Sequence, residues 1–367
     1  MTAHPFQIEL HQSFEAVESP WAQLESEGVS TPFQHRVWMR PVYAILAPAV
    51  GAEPRILLVR DAAGAPVMLA PLCLRRRLGV PVVEFADFGV CDYNAPLIAR
   101  HFAPTAEQWR TLWATARKAL GEAPLLRLAR TPDRIGALPN PFMLDAAIRP
   151  SPTGSWGIAL PSSLAALEAA LPSAKFRSNI VRARKRLAAQ GKVSFDCAET
   201  PEEALGMFAE LARQRAARCA AMGRRDLMAL PAWRQFYETA LVDGLALGPH
   251  GRPFARLATL TVDDEIVATI FALDHGHSRY MLIPTFADGR WSSFSAGTLA
   301  ILEAITLFIA EGATFLDLTT GDEAYKRSLA AVRRTTFEAT LGLTRAGALL
   351  AAGAPPALAA LRRWRDR

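Results

Sequence analysis

The stretch LDLTTGDEAYKRSL (316–329) gathers Asp317, Asp322, Glu323, Tyr325 and Lys326 into one short segment of an otherwise largely apolar chain. These are residue types that proton transfer and oxyanion stabilisation require. A carboxylate in mid-strand is costly unless it is paired or hydrogen-bonded. Partial burial lifts a carboxylate pKa toward that of a general base, so Asp317 is a candidate base or the orienter of one. Lys326, beyond the turn, could steady an oxyanion as a carbonyl is attacked. Tyr325 could protonate a leaving group or wall a pocket. A plainer reading stays open: a strand, a turn at Gly321 held by a structural aspartate, and a solvated Lys326–Arg327 face.

A second segment with chemical potential is SFSAG (293–297), which opens an apolar helical run. Ser293 and Ser295 are suited to an N-cap, where the hydroxyl accepts a backbone N–H. The small residues Ser295, Ala296, Gly297 and Thr298 leave the first N–H groups approachable, and the helix dipole favours an anion there. An ordinary capped helix is the alternative. The stretch KFRSNIVRARKRL (175–187) carries Phe176, Ile180, Ala183 and Leu187 as one apolar stripe at helical spacing. Arg177 lies beside that stripe, from where a guanidinium can bind an anion bidentately. The other cations form a solvated basic face, or attract phosphates, an acidic sugar chain or tRNA by charge. No aromatics are interleaved with them, so sequence-specific nucleic-acid binding is not expected.

The elements that must position these residues run twice along the chain. RILLVRDAAGAPVMLAPLCLRR (55–76) and RLATLTVDDEIVATIFALDHG (256–276) each read as strand, turn, strand. Each is followed by a further strand (80–88, 278–286), a helix (105–120, 296–311) and another strand (124–130, 314–320). Helices over 163–171, 175–190, 200–218 and 231–243 precede the second hairpin. This order predicts a mixed, mostly antiparallel α/β (α+β) sheet flanked by helices, in tandem. Pro-rich segments at 131–142 and 149–156 place the boundary near 150, giving domains 1–150 and 151–345 and a basic helical tail, 346–367.

Composition excludes several classes. With 367 residues, 51% hydrophobic and 21% charged, the chain is globular, and its net charge of +6 is modest for the length. Cys73, Cys91, Cys197 and Cys219 form no CxxC pair, so neither a structural metal nor a disulfide framework is expected. There is no signal-peptide pattern at the N-terminus, and a reduced, cytoplasmic location is the natural expectation. Apolar runs fall short of the ~20 residues of a membrane span. The tail ends RRWRDR and could rest on an anionic membrane surface or pack on the protein itself. Dinucleotide, P-loop, HExxH and GxSxG signatures are absent.

The stretches KFRSNIVRARKRL, DDEIVATIFAL (263–273), SRYMLIPTF (278–286), SAGTLAILEAI (295–305) and FLDLTTGDEAYK (315–326) together resemble the CelD-like GNAT acyltransferases of cellulose and exopolysaccharide biosynthesis. These in turn are similar to Fem-type aminoacyl transferases, which have two GNAT-like halves. TPFQHRVWM (31–39), GAPVMLAPLCLRRRLG (64–79) and CDYNAPLI (91–98) extend the resemblance into the first half.

The resemblance implies transfer of an acyl group from acetyl-CoA or another acyl-CoA to an amine or hydroxyl acceptor, a small molecule or saccharide. It implies Asp317, Tyr325 and Lys326 at the reacting end, and the donor pyrophosphate at Ser293, Ser295, Ala296, Gly297 and Thr298. Arg177 and Tyr280 would contact substrate, with Asp92 and Tyr93 of a non-catalytic first half shaping the acceptor cleft. One departure matters: RWSSFSAG (290–297) has a single glycine where the family's pyrophosphate loop has several. That leaves an aminoacyl-tRNA donor, or a catalytically silent interaction module, as alternatives.

Overall fold

The structure is a computed structural model that describes residues 6–121, 123–246 and 252–352. Contacts divide it into one unit formed by residues up to Thr153 together with the chain from Thr335 onward, and a second formed by Gly154–Arg334.

In the first unit the strands are Phe6–His11 (β1), Ile56–Asp61 (β2), Pro66–Ala70 (β3), Leu72–Arg77 (β4), Val80–Phe85 (β5), Leu125–Pro132 (β6) and, from the far end of the chain, Thr336–Gly342 (β14). Pro71 has no N–H to give a ladder, and the second strand of the first hairpin breaks there. As a result β3 joins β1 and β2 in one sheet, while β4 joins β5, β6 and β14 in another. All pairs in the second of these are antiparallel except β5–β6, which are parallel and are linked by the helix Ala106–Ala119 (α2), the long helix that follows Glu18–Glu27 (α1) in this unit. The core centres on aromatic residues: Trp109 stacks on Trp113 at 5.3 Å, and both meet Phe142 edge-on.

The pairing corrects one expectation. β14, read as part of the second half, lies antiparallel to β6 from Thr336↔Pro132 to Gly342↔Leu125 and so completes the first unit's sheet. Local patterning assigns a strand but not its partner. A helix over 345–352 follows, and the rest of the tail, with its expected membrane contact, lies outside the described residues.

The second unit has one seven-stranded sheet. Its strands are Ser155–Ala159 (β7), Val193–Cys197 (β8), Ala255–Val262 (β9), Glu265–His275 (β10), Ser278–Phe286 (β11), Phe315–Thr320 (β12) and Val332–Arg334 (β13), in the order β8-β9-β10-β11-β12-β7-β13. Leu164–Ala170 (α3), Ala174–Ala188 (α4) and Ala296–Ala310 (α7) pack together over one face, and Pro201–Ala221 (α5) and Pro231–Gly244 (α6) over the other. The short helix Ala324–Ser328 (α8) follows β12.

Helix α7 is apolar nearly all round, and Leu299, Ile301, Leu302, Ile305 and Phe308 are buried. Each such side chain contributes about 1.5–3 kcal/mol, so the position of α7 over the sheet is firmly held. Its C-terminal end is tied by a buried ion cluster: Arg256 pairs with Asp274 at 3.0 Å and with Glu311 at 2.7 Å, and Arg279 reaches both acids. Burial pushes the Asp274 carboxyl up to about 6, against the pull of Arg256 and Arg279. Among the described residues no helix is long and apolar enough to cross a membrane.

Candidate functional site

β11 and β12 are the two parallel strands of the second unit, joined through α7. They share only three rungs, Ser278↔Phe315, Arg279↔Leu316 and Tyr280↔Asp317. From Met281 and Leu318 onward they share none, so the strands fork with Tyr280 and Asp317 at the crotch. A bulge sharpens the parting. Across from β7, register shifts between Ser155 and Gly157, and Thr319 adopts a left-handed φ of 61°. That conformation is costly for a β-branched residue. It is held by the Thr319 N–H, which donates to Asp317 Oδ1 at 2.7 Å.

α7 begins at the open end of this fork. The serine cap expected there does not form: Ser295 enters the helix with a φ of 59°, and no side chain caps its first N–H groups. No acidic residue occupies the first turn. The hydroxyl of Ser293 instead accepts from Arg186 Nη2 of α4 at 3.3 Å, and the Arg186 guanidinium lies 5.0 Å over the Phe294 ring. The result is a helix start with unclaimed polarity, a guanidinium beside it and small residues around it, which is the arrangement an anion requires. Gly297 has a second reason to be glycine, since a Cβ there would lie 2.7 Å from the ring of Phe286 at the end of β11.

At the crotch, Asp317 is 1% exposed. Its Oδ1 holds the Thr319 turn, and its Oδ2 lies 3.5 Å from Arg334 Nη1 on β13. Strand alternation puts Asp317 and Tyr280 on the face opposite α7, because Leu316, Leu318 and Met281 pack in the cluster under that helix. Burial, then the negative charge of Asp317, raises the Tyr280 phenol well above its usual range and keeps it protonated. The structure therefore brings together Asp317, Tyr280 and an arginine that the sequence reading did not single out. Arg334 sits in an unremarkable Arg-Arg pair of a short edge strand, and no local pattern distinguishes it.

Lys326 is placed differently from the expectation. It is 1% exposed, and its Nζ donates to the carbonyls of Thr320 at 2.8 Å, Gly321 at 3.2 Å and Thr319 at 3.4 Å while pairing with Glu323 at 2.8 Å. An ammonium has three donors, and these acceptors occupy them. Lys326 clamps the exit of β12. Tyr325 is half-buried against the apolar cluster of the second unit. Arg177 donates to the carbonyl of Leu171 at the end of α3 and braces the α3–α4 corner. Asp92 and Tyr93 belong to the first unit, where Tyr93 packs edge-on against Phe33 at 5.8 Å and accepts from Gln34 through its carbonyl.

The first unit has its own parallel pair, β5 and β6, which also part after three rungs, Val82↔Leu125 to Glu84↔Arg127. That fork is filled. Asn94 donates through its amide nitrogen to Asp87 at 2.7 Å and to the Ala129 carbonyl at 2.8 Å, and its backbone N–H meets the Arg130 carbonyl. Arg130, at a φ of 52°, pairs with Asp87 at 2.6 Å. Burial pushes the Asp87 carboxyl up, but Arg130, the Gly89 N–H and Asn94 together hold it below its ordinary value. α2 is closed by a full capping box between Thr105 and Gln108 and carries Glu107 in its first turn.

Residues 174–327 match a family model described as an acetyltransferase (GNAT) domain. Among solved structures the chain resembles FemX, with a TM-score of 0.59 at 13% identity over 91% of this chain and 97% of that one. It also resembles the C-terminal domain (DUF2156) of a putative lysylphosphatidylglycerol synthetase from Agrobacterium fabrum, with a TM-score of 0.52 at 12% identity over 93% and 96%. A third similarity is to a tandem GNAT protein from the clavulanic acid biosynthesis pathway, with a TM-score of 0.50 at 16% identity over 92% and 99%. At these identities the likeness is one of fold. No curated protein matches the chain in sequence. The second unit thus carries a GNAT-type acyltransferase fold, and the chain as a whole has GNAT-like neighbours that include a tandem one.

Proposed function

We propose that the second unit transfers an acyl group from acyl-CoA directly to an amine or hydroxyl acceptor. The observation that carries this reading is the fork between β11 and β12 with the uncapped start of α7 at its mouth. The donor, when bound, supplies an activated acyl group and a thiol leaving group. The N–H groups at the start of α7, with Arg186 beside them, would hold its phosphates; a helix terminus and a guanidinium are the groups that recognise phosphate. Tyr280 and Asp317 stand where the strands part. As the acyl–sulfur bond breaks and the acyl–nitrogen or acyl–oxygen bond forms, Tyr280 Oη would pass its proton to the departing sulfur and regain one from the acceptor, a relay that contributes about 10²-fold or more. Asp317 is a positioning residue: one oxygen fixes the Thr319 turn and the other faces Arg334. The finer assignment, a CelD-like enzyme acting on a saccharide of the cell envelope, rests on the sequence resemblance and directs the acceptor screen toward amino sugars and sugar hydroxyls.

The likeness to FemX favours a second reading, in which the donor is an aminoacyl-tRNA and the exposed cations of α4, among them Lys175, Arg182 and Lys185, meet the nucleic acid. A turnover assay separates the two. Free thiol released from acetyl-CoA or a longer acyl-CoA in the presence of an amino sugar, and lost in Tyr280→Phe, supports the first. Aminoacyl transfer from charged tRNA, with affinity that falls steeply with salt, supports the second. No turnover with either donor returns the chain to the silent interaction module.

A further inference from the structure

One end of the first unit's larger sheet presents large apolar side chains to solvent among cations. The β4–β5 hairpin turns there through Leu78 and Gly79, both at positive φ (51° and 82°), with Arg77 paired to Val80 across the turn. Leu78 is 81% exposed. The hydrogen-bond register carries this level across the sheet: Val82 on β5 meets Leu125 on β6, and Leu125 meets Gly342 at the end of β14. Just beyond, the Leu343 N–H donates to the Pro124 carbonyl, and Gly347 lies so close to that carbonyl that a Cβ would collide with it. The helix over 345–352 is therefore seated at the same end, and its Leu349 and Leu350 are 79% and 47% exposed. The hairpin tip and β14 are two to three strand spacings apart, about 10–15 Å.

Among the described residues the cations at this end outnumber the acids, and Glu53 one rung further along is paired with Arg55. Arg76, Lys118 and Arg345 are exposed, and Arg117 reaches the Gly342 carbonyl from the last turn of α2. Glu84 is taken up by Arg77 and Arg127. In sequence the chain continues to RRWRDR. A leucine at a tight left-handed hairpin position, where Asn, Asp or Gly is usual, adds nothing to the unit's own core. The apolar groups stand on separate elements, Leu78 on the hairpin and Leu349 and Leu350 on the helix. A protein partner needs a continuous matching surface, whereas a bilayer takes up isolated apolar tips and its lipid charge answers the arginines.

We propose that this end of the first unit docks on an anionic lipid bilayer, with Leu78, Leu349 and Leu350 entering the acyl boundary and Arg76, Lys118 and Arg345 meeting lipid phosphates. The full chain is tested by cosedimentation with vesicles of phosphatidylcholine alone and of phosphatidylcholine with about a third phosphatidylglycerol, at about 0.1 M and about 0.5 M salt. The expected result is partition onto the anionic vesicles alone, weakened by salt. A Leu78→Gly, Leu349→Ser, Leu350→Ser variant is expected to lower it about tenfold, as is an Arg76→Glu, Lys118→Glu, Arg345→Glu variant. Glycine fits the positive φ at position 78, and thermal melts matching the parent confirm that each variant is folded. Absence of partition overturns the proposal. So does partition that the leucine variant leaves unchanged, since a surface acting by charge alone would bind RNA equally well, and an RNA titration at the same two salts reads that outcome.

Discussion

The two forks in this molecule are built alike and finished differently. In the first unit β5 and β6 part after three rungs, and Asn94, Asp87 and Arg130 fill the gap, while α2 starts with a complete capping box and an acidic first turn. In the second unit β11 and β12 part after three rungs, Asp317 holds the Thr319 turn and faces Arg334 below the opening, and α7 starts without a side-chain cap or an acid in its first turn. A fork whose polar groups are satisfied internally needs no ligand. A fork that leaves a helix start unclaimed beside an arginine has the free energy of those groups available for binding. On the proposed reading the difference divides the labour: the donor site belongs to the second unit, and the first keeps the fold without one.

Four substitutions probe that contrast. Lys326→Met removes the clamp from the exit of β12 and leaves three carbonyls and Glu323 without their shared partner, so a loss of about 3 kcal/mol in denaturant stability is expected. Wild-type stability together with abolished turnover would restore a catalytic role for this lysine. Tyr280→Phe is expected to lower turnover about a hundredfold while acyl-CoA affinity, read by calorimetry, stays within about twofold. Equal losses in both would make Tyr280 a binding residue. Asn94→Ala opens the sealed fork and removes one of the hydrogen bonds to the Asp87 carboxylate, which keeps Arg130 and the Gly89 N–H; about 1–3 kcal/mol of stability is lost, with donor affinity unchanged. A second donor site appearing in that variant would show the seal to be a lock, not a structural filler. Thr298→Glu gives α7 the acidic first turn that α2 already has. It is expected to weaken acyl-CoA binding about tenfold, some 1.4 kcal/mol, without loss of stability, because a carboxylate at a helix start is itself favourable.

The fold was largely legible in the sequence, because period-2 and period-3.6 patterning specify element type locally. Hairpins turn at Asp61–Gly64 and Asp263–Asp264, and the helices over 296–311 and 175–190 are each present within a few residues of where the pattern puts them. What was not legible depends on partners distant in sequence. β14 pairs across more than two hundred positions with β6, and nothing in TTFEATLG names that partner. The site was legible in part. Asp317 lies in β12 and the 293–298 segment opens α7, elements the patterning gave, and Tyr280 stands opposite Asp317 through a parallel register that only the folded sheet defines. The clamp made by Lys326 was not legible, because the residue type admits several roles and three carbonyl acceptors supplied by a left-handed turn cannot be read from sequence. The Ser295 cap failed for a related reason: a φ of 59° turns the hydroxyl away from the geometry a cap needs.

The central claim is that one fork binds donor and the other does not, and calorimetric titration of the full chain with acetyl-CoA tests it most directly. The account predicts binding in the micromolar range with one site per chain, weakened in Thr298→Glu and unaltered in Asn94→Ala. Two sites per chain, or no binding of any acyl-CoA, would contradict it.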